Sequence, residues 1–434
     1  MLFTSTRNND LKVQFSKAVK DCMPSDGGVF VPDSSSIEDL RRWIYYIDEK
    51  TTFKSIAGTL SLAFYNDEFS PIICETIANS AFPFEPKVVQ LDDNLFHMQL
   101  FNGYTGCHRD FGVSYLCSYL ETTHTLNGGN SVFLDFTHGE LGALLAKVLR
   151  NKKHIKAVLV YKKGTVRGLC EQDLIWNGGN ILPVEMEGTE EQIKKEIKAI
   201  FDDKDFSNNY NLSIANTTNI CRLISQVFYF PYAFAQIKHK INGDIFYALD
   251  SDNYSTLIAG LYSWRFALPL NGFYVPATKE LDFDLYSDEI ILGQKKKNLT
   301  VNPMRPANIE RLESFFGKNN MMMKNFVFPV QVSEKNREIA AKELYRKYGV
   351  FADQGTASAY AAIMQNQNEV YDEDGAFVLI SQNHPSLSSD YIRHVVGEVP
   401  QMPENIKETL KPYRLDKKIL SEADELKKII SENF

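Results

Sequence analysis

SVFLDFTHGELGALLAKVLRNKKHIKAVLVYKK, residues 131–163, reads as a strand, a glycine turn, a helix and a second strand. Val132, Phe133 and Leu134 form a short apolar run bounded by polar and glycine residues, the pattern of a buried strand. The spacing of Leu144, Leu145, Val148 and Leu149 is helical, and Ile155–Tyr161 supplies the next strand. Strands alternating with helices predict a mainly parallel sheet covered on both faces, with right-handed connections and ligands at the carboxyl ends of the strands. THGELG (137–142) stands at such a junction, where free N–H groups at a helix start face an anion. Many connections of this form bind nothing, so the turn alone assigns no function.

The same rhythm extends outward. NILPVEME is a further strand, and GTEEQIKKEIKAIFDD is a helix whose Thr189 and Gln192 stand in a capping-box relation. DIFYALD (244–250), STLIAGLYSWRFA and NGFYVPA repeat strand, helix and strand. Residues 1–92 read as mostly helical, with one helix opening at Ser36–Leu40 and running through Trp43, Ile44 and Ile47. Residues 285–325, rich in lysine and methionine, lack strand rhythm and read as a linker or exposed insertion. The last stretch, from Glu404 to Phe434, is charged and helical.

Composition narrows the class. A formal charge of -8 with 24% charged residues fits a soluble chain and argues against nonspecific nucleic-acid binding. The lysine runs at Lys152-Lys153 and Lys295-Lys296-Lys297 read as solvated loops. No stretch approaches the ~20 apolar residues of a membrane span, and MLFTSTRNND has no secretory h-region. Six cysteines (22, 74, 107, 117, 170 and 221) show no CxxC, and eight dispersed histidines form no HxH or HxxxH, so a metal site is not expected. The expectation is a cytoplasmic protein with reduced thiols.

His108-Arg109-Asp110 spells part of a kinase catalytic loop, but the asparagine five positions on is Tyr115 and no GxGxxG loop precedes it. No GxSxG elbow supports a hydrolase. Colinear motifs carry more weight. Ser5-Thr6-Arg7-Asn8 followed by SDGGVFVP (25–32) resembles the STRN and PDGGLFVP opening of threonine synthases. FNGYTGCHRDF (101–111) is similar to that family's FHGPTLAFKDF, THGELG to TSGDTG, and NTTNICRLISQ (216–226) to NSIN-xx-R-xxx-Q. SDNYSTLIAG (251–260) falls on TGNFGNILAG, LIWNGGN (174–180) on the segment around GGN, FADQGTASAY on DPHTA, and ISQNHPS on TAHP.

That resemblance implies a tryptophan-synthase-β-like α/β fold, the type II fold of pyridoxal-phosphate enzymes. Its parts would be an N-terminal accessory domain at 1–92, one α/β domain at 93–230 and another at 231–434. It further implies a lyase of threonine biosynthesis that turns O-phospho-L-homoserine and water into L-threonine and phosphate. In the family the lysine of FKDF forms the Schiff base, GNFGN cradles the cofactor phosphate, and TSGDTG surrounds the substrate carboxylate.

Carried over residue by residue, the chemistry is interrupted. The lysine falls on Arg109, whose guanidinium, with a pKa above ~12, stays charged and cannot attack an aldehyde. The cofactor positions become Asp252, Asn253, Tyr254, Ser255 and Thr256, with both glycines lost, and Gln382 replaces the threonine of TAHP. Thr137, His138, Gly139 and Glu140, with Arg222, remain as candidate ligand contacts. The expectation is therefore a pseudoenzyme, a threonine synthase-like chain with weak or absent pyridoxal-phosphate binding that keeps a cleft for an anionic amino-acid-like ligand. Two other readings stand beside it: an active threonine synthase with an unusual site, and a partner subunit of a homologous active chain. Monomer and homodimer both remain open.

Overall fold

The computed structural model describes residues 1–175, 179–284, 289–292, 300–317, 319–370 and 375–434. Trp176, Asn177 and Gly178 of the LIWNGGN segment and the run Lys295-Lys296-Lys297 lie outside the described residues.

Two sheets carry the molecule. The smaller is the predicted parallel unit, built from β5 (Ser131–Phe136), β6 (Ile155–Lys162), β7 (Ile181–Met186) and β8 (Leu212–Ser213) in the order β7-β6-β5-β8. The larger combines β3 (Lys87–Asp92), β4 (Leu95–Gln99), β9 (Ile245–Ala248), β10 (Gly272–Pro276), β13 (Val327–Val330) and β14 (Ala376–Ser381) in the order β13-β10-β9-β14-β4-β3. All of its pairs are parallel except β3 with β4. Every residue of β14 is buried, as expected of a central strand covered on both faces. Two hairpin-like pairs complete the set: β1 (Phe3–Ser5) with β2 (Phe30–Pro32), and β11 (Leu281–Asp284) with β12 (Glu289–Leu292).

The capping box forms as read. The Thr189 hydroxyl accepts the Gln192 backbone N–H at 3.3 Å, and the Gln192 side-chain Oε1 accepts the Thr189 N–H at 2.8 Å. Ile193, Ile197 and Ile200 are buried below it.

The helix Arg109–Asn127 packs against the N-terminal helix Pro71–Ala81 and against β6 of the smaller sheet, burying an unbroken run from Asp110 to Leu120. Phe111 meets Phe53 edge-on at 5.4 Å, and Tyr115 stacks on Phe82 at 5.9 Å. A second tie is Arg311, fully buried in the helix Asn308–Phe315. Its guanidinium donates to the carbonyls of Phe30, Thr217 and Thr218 and to the Asn308 side chain.

Three expectations are corrected. The helix read from Ser36 begins only at Arg41 and ends at Tyr46, because Asp33 caps a 3-10 turn at Ser34–Ser36 and Asp39 accepts the Arg41 N–H at 2.9 Å. The stretch 285–325 holds, in its described part, β12 and the helices Asn308–Phe315 and Asn320–Lys324, so it is not a bare linker. The cut between 92 and 93 falls inside the larger sheet, since β4 pairs with β14 and belongs with the strands of the later domain.

Candidate functional site

Parallel pairing brings the functional loops together. β9, β14 and β4 are neighbours running in one direction, so the segments leaving their carboxyl ends emerge side by side. These segments carry Ser251–Tyr254, Gln382 and the 100–108 turn. The Gln382 carbonyl accepts the His108 N–H at 2.7 Å, and the Gly106 carbonyl accepts the His384 N–H at 2.7 Å, fastening the turn to the β14 exit. Asp110 braces the same turn by accepting from the Thr105 N–H at 2.8 Å and the Thr105 hydroxyl at 2.6 Å. Burial pushes this carboxyl up to about 6 against those bonds.

Arg109 opens the long helix from this braced turn. Its neighbours His108 and Asp110 are buried, whereas the Arg109 side chain reaches solvent although protein surrounds much of it. No hydrogen bond or ion pair holds it among the described residues. Its pKa is raised, first by the Cys107 sulfur and then, against the cost of burial, by Asp252, Glu140 and Asp110. Burial pushes the Cys107 thiol up to about 11, so near neutral pH the charges acting on Arg109 are the three carboxylates. Asp252 follows β9 of the larger sheet, Glu140 follows β5 of the smaller one and Asp110 lies on Arg109's own helix, so Arg109 stands where the two sheets approach each other.

The loop leaving β9 keeps an unusual backbone. Asp252 has φ of 30° and Tyr254 φ of 62°, both in the left-handed region. The Asn253 side-chain Oδ1 accepts the Ser255 N–H at 3.1 Å, and the Tyr254 hydroxyl is turned to Thr278. Ser255 and Thr256 are buried against Gln226, whose side-chain oxygen accepts from their hydroxyls at 3.2 and 3.0 Å. The Gln382 amide donates to the Thr256 hydroxyl at 3.0 Å and closes this network.

In the loop leaving β5, the Thr137 hydroxyl accepts the N–H groups of Gly139 at 2.9 Å and Gly142 at 3.1 Å. It works as a cap for the helix Glu140–Val148. His138 turns away from the cleft, is 64% exposed, and sits 3.3 Å from Glu190. Glu140 pairs with Arg167, whose stem lies over Gly139 where a Cβ would collide with it.

Arg222, expected as a ligand contact, is buried beneath the first turn of the Arg109 helix. Its Nε donates to the Ala215 carbonyl at 2.9 Å, and its Nη1, which has no partner, fills the space a Cβ on Gly112 would need. Burial lowers its pKa, and the Arg109 charge lowers it further. Arg222 therefore supports the site from below and does not line it.

These features meet at the carboxyl ends of the strands, and known proteins share the arrangement. Threonine synthase of Escherichia coli strain K12 is 26% identical over 94% of each chain. The crystal structure of the Escherichia coli enzyme superposes over the whole of both chains with a TM-score of 0.79 at 22% identity. The chain is similar to threonine synthases along nearly its whole length. The crystal structure of pyridoxal-phosphate-bound threonine synthase from Brucella melitensis matches all of this chain and 99% of its own, with a TM-score of 0.77 at 16% identity. No family model matches the chain.

Sequence reasoning missed several residues of the cleft. Asp250, at the end of the β9 run, is pushed up to about 6 by burial first and then by Asp252 and Asp353. A Cβ on Gly355 would collide with its carboxylate, so the small residue at 355 is what lets Asp250 occupy its place. Asp353 in turn accepts the Thr356 N–H at 2.8 Å and the Asn383 amide at 3.4 Å. Three carboxylates separated in sequence thus gather beside the 252–256 loop. Sequence offered only the acidic letters of LDSD and FAD, and their convergence requires the parallel neighbours. Arg167 carried no motif at all.

A cavity of about 890 Å³ lies elsewhere, between the N-terminal segment and the helix ends near Arg265 and Glu310. The loops at the strand carboxyl ends, and not that volume, mark the candidate site. Among the described residues no cluster of three metal-ligating side chains occurs, and no helix is long and apolar enough to cross a membrane.

Below the site, Asp135 is buried at the end of β5 and accepts the Ala215 N–H at 2.8 Å. Burial pushes this carboxyl up to about 7. The unfolded chain releases its proton near pH ~4, so between about pH 4 and 7 the folded state binds more protons and stability falls as pH rises. Asp135→Asn is therefore expected to be more stable than the parent chain by about 1 kcal/mol or more near pH ~8, with the advantage shrinking toward pH ~5. Urea unfolding at the two pH values measures it.

Proposed function

We propose that the chain is a threonine synthase homologue that has lost covalent pyridoxal-phosphate chemistry and holds a small amino-acid-like anion without transforming it. The observation that carries the reading is Arg109, a free guanidinium at the head of the long helix where the family motif has its reactive lysine. A guanidinium cannot lose the proton that a nucleophile must lose.

The residues present do not fit the cofactor. A phosphate dianion needs free backbone N–H groups and a positive surround, whereas the 252–256 loop lies beside Asp250, Asp252 and Asp353. The hydroxyls of Ser255 and Thr256 are already committed to Gln226. A zwitterion suits the same surroundings better. Its acid group meets the cationic side chains of the site, Arg109 among them, and its ammonium faces the carboxylates of the β9 loop.

Addition of pyridoxal phosphate to the purified chain tests this. No yellow aldimine absorbance is expected, and borohydride should fix no pyridoxyl group on the protein by mass. A pyridoxyl adduct on any lysine overturns the reading.

A further inference from the structure

We propose that Arg167 is a ligand-binding residue of this cleft and that Glu140 is its resident placeholder, displaced by an incoming carboxylate. The proposal rests on the reading of the cleft as an anion-holding site and names the group that holds the anion.

Arg167 is fixed in place by its backbone. The Gly168 N–H donates to the Lys411 carbonyl at 2.9 Å, and the Tyr413 N–H donates to the Val166 carbonyl at 2.9 Å, so the C-terminal segment grips both sides of the residue. Gly168 is pressed between Ala143 and the Thr409 carbonyl, which sets the Arg167 stem directly over the turn that opens the helix Glu140–Val148. At that turn the supply of donors exceeds the supply of acceptors. The Glu140 and Leu141 N–H groups start the helix and have no intrahelical acceptor. The Arg167 Nε is buried without a partner. So is the hydroxyl of Tyr161, a fully buried side chain that meets the turn at Gly142.

Against these donors stands one carboxylate, Glu140, which accepts from the Arg167 Nη2. Buried donors are satisfied in nearly all proteins, and a surplus around one turn specifies an oxyanion. The Arg167 and Glu140 side chains keep 33% and 27% of their surface, so their pair is partly screened and easily exchanged. When Glu140 swings to solvent, a ligand carboxylate takes up its bond to Arg167, and the Arg167 Nε and Tyr161 hydroxyl gain the acceptor they lack. The charge paired with Arg167 is the same before and after, because one carboxylate replaces another there. Glu140 also acts on Arg109 across the cleft, so its departure leaves two guanidinium groups for the ligand.

Calorimetric titration of the full chain with L-threonine, and with L-threonine amide as the carboxylate-free control, tests the proposal. Glu140→Gln is expected to bind L-threonine about fivefold tighter than the parent chain. Arg167→Gln should bind it about tenfold more weakly, and neither change should alter the response to the amide. Arg167→Lys keeps the stem over Gly139 and the charge, and it should fall several-fold below the parent. If Arg167→Gln does not fold, by its melting curve, Arg167→Lys decides. Parent-like affinity in the Arg167 variants overturns this assignment and leaves the cleft reading standing. Failure of both the parent chain and Glu140→Gln to bind L-threonine overturns both.

Discussion

Arg109→Lys is expected to form no threonine from O-phospho-L-homoserine and pyridoxal phosphate, in an assay that reads phosphate release. The substitution restores an amine but leaves its surroundings unchanged. Asp252, Glu140 and Asp110, which raise the Arg109 pKa, would hold a lysine in its protonated, non-nucleophilic form in the same way. The cofactor phosphate would also meet Asp252, and at ~4 Å with an effective dielectric of ~20 that repulsion is about 4 kcal/mol per unit charge. About three orders of magnitude in affinity follow from it. Recovery should need Asp252→Gly and Ser255→Gly together with Arg109→Lys. Threonine from the single variant would show that the loop's carboxylates matter far less than their charge suggests.

Arg311→Met is expected to destabilise the chain by about 3–5 kcal/mol in urea unfolding, mostly through the carbonyls it leaves behind. The guanidinium joins the end of β2 to the 217–218 turn and to its own helix, and no solvent reaches the acceptors it serves. Burial lowers its pKa to about 10, so it remains charged across neutral pH. The deficit should therefore be equal at pH ~6 and pH ~8, unlike the effect at Asp135. A loss under about 1 kcal/mol would mean that water or a shifted side chain satisfies those carbonyls.

Local patterns made the architecture legible. Ser131–Phe136, Ile155–Lys162 and the Thr189 capping box each signal their structure within a few residues, and each formed where expected. Ser36–Leu40 misled because two aspartates, Asp33 and Asp39, compete for the backbone N–H groups that a helix start would use. At the site, Arg109 could be placed from its motif, but the direction of a side chain could not. His138 faces Glu190, and Arg222 lies under Gly112, although both belong to motifs that sequence assigned to the cleft. Asp250 and Arg167 were illegible for a different reason. Asp250 owes its place to Gly355, Arg167 meets Glu140 across a strand and a helix, and its backbone is held through Gly168 at Lys411, so no short window of sequence contains these contacts.

Asp252 and Tyr254 also store backbone strain in the loop leaving β9. A left-handed backbone costs a residue with a Cβ roughly 1–2 kcal/mol, and glycine almost nothing. Asp252 and Tyr254 adopt it at φ of 30° and 62°, so the turn between β9 and the helix Ser255–Arg265 carries about 2–4 kcal/mol of backbone strain. That strain persists because the strand before the turn and the helix after it fix the path of the chain, and their packing offsets it.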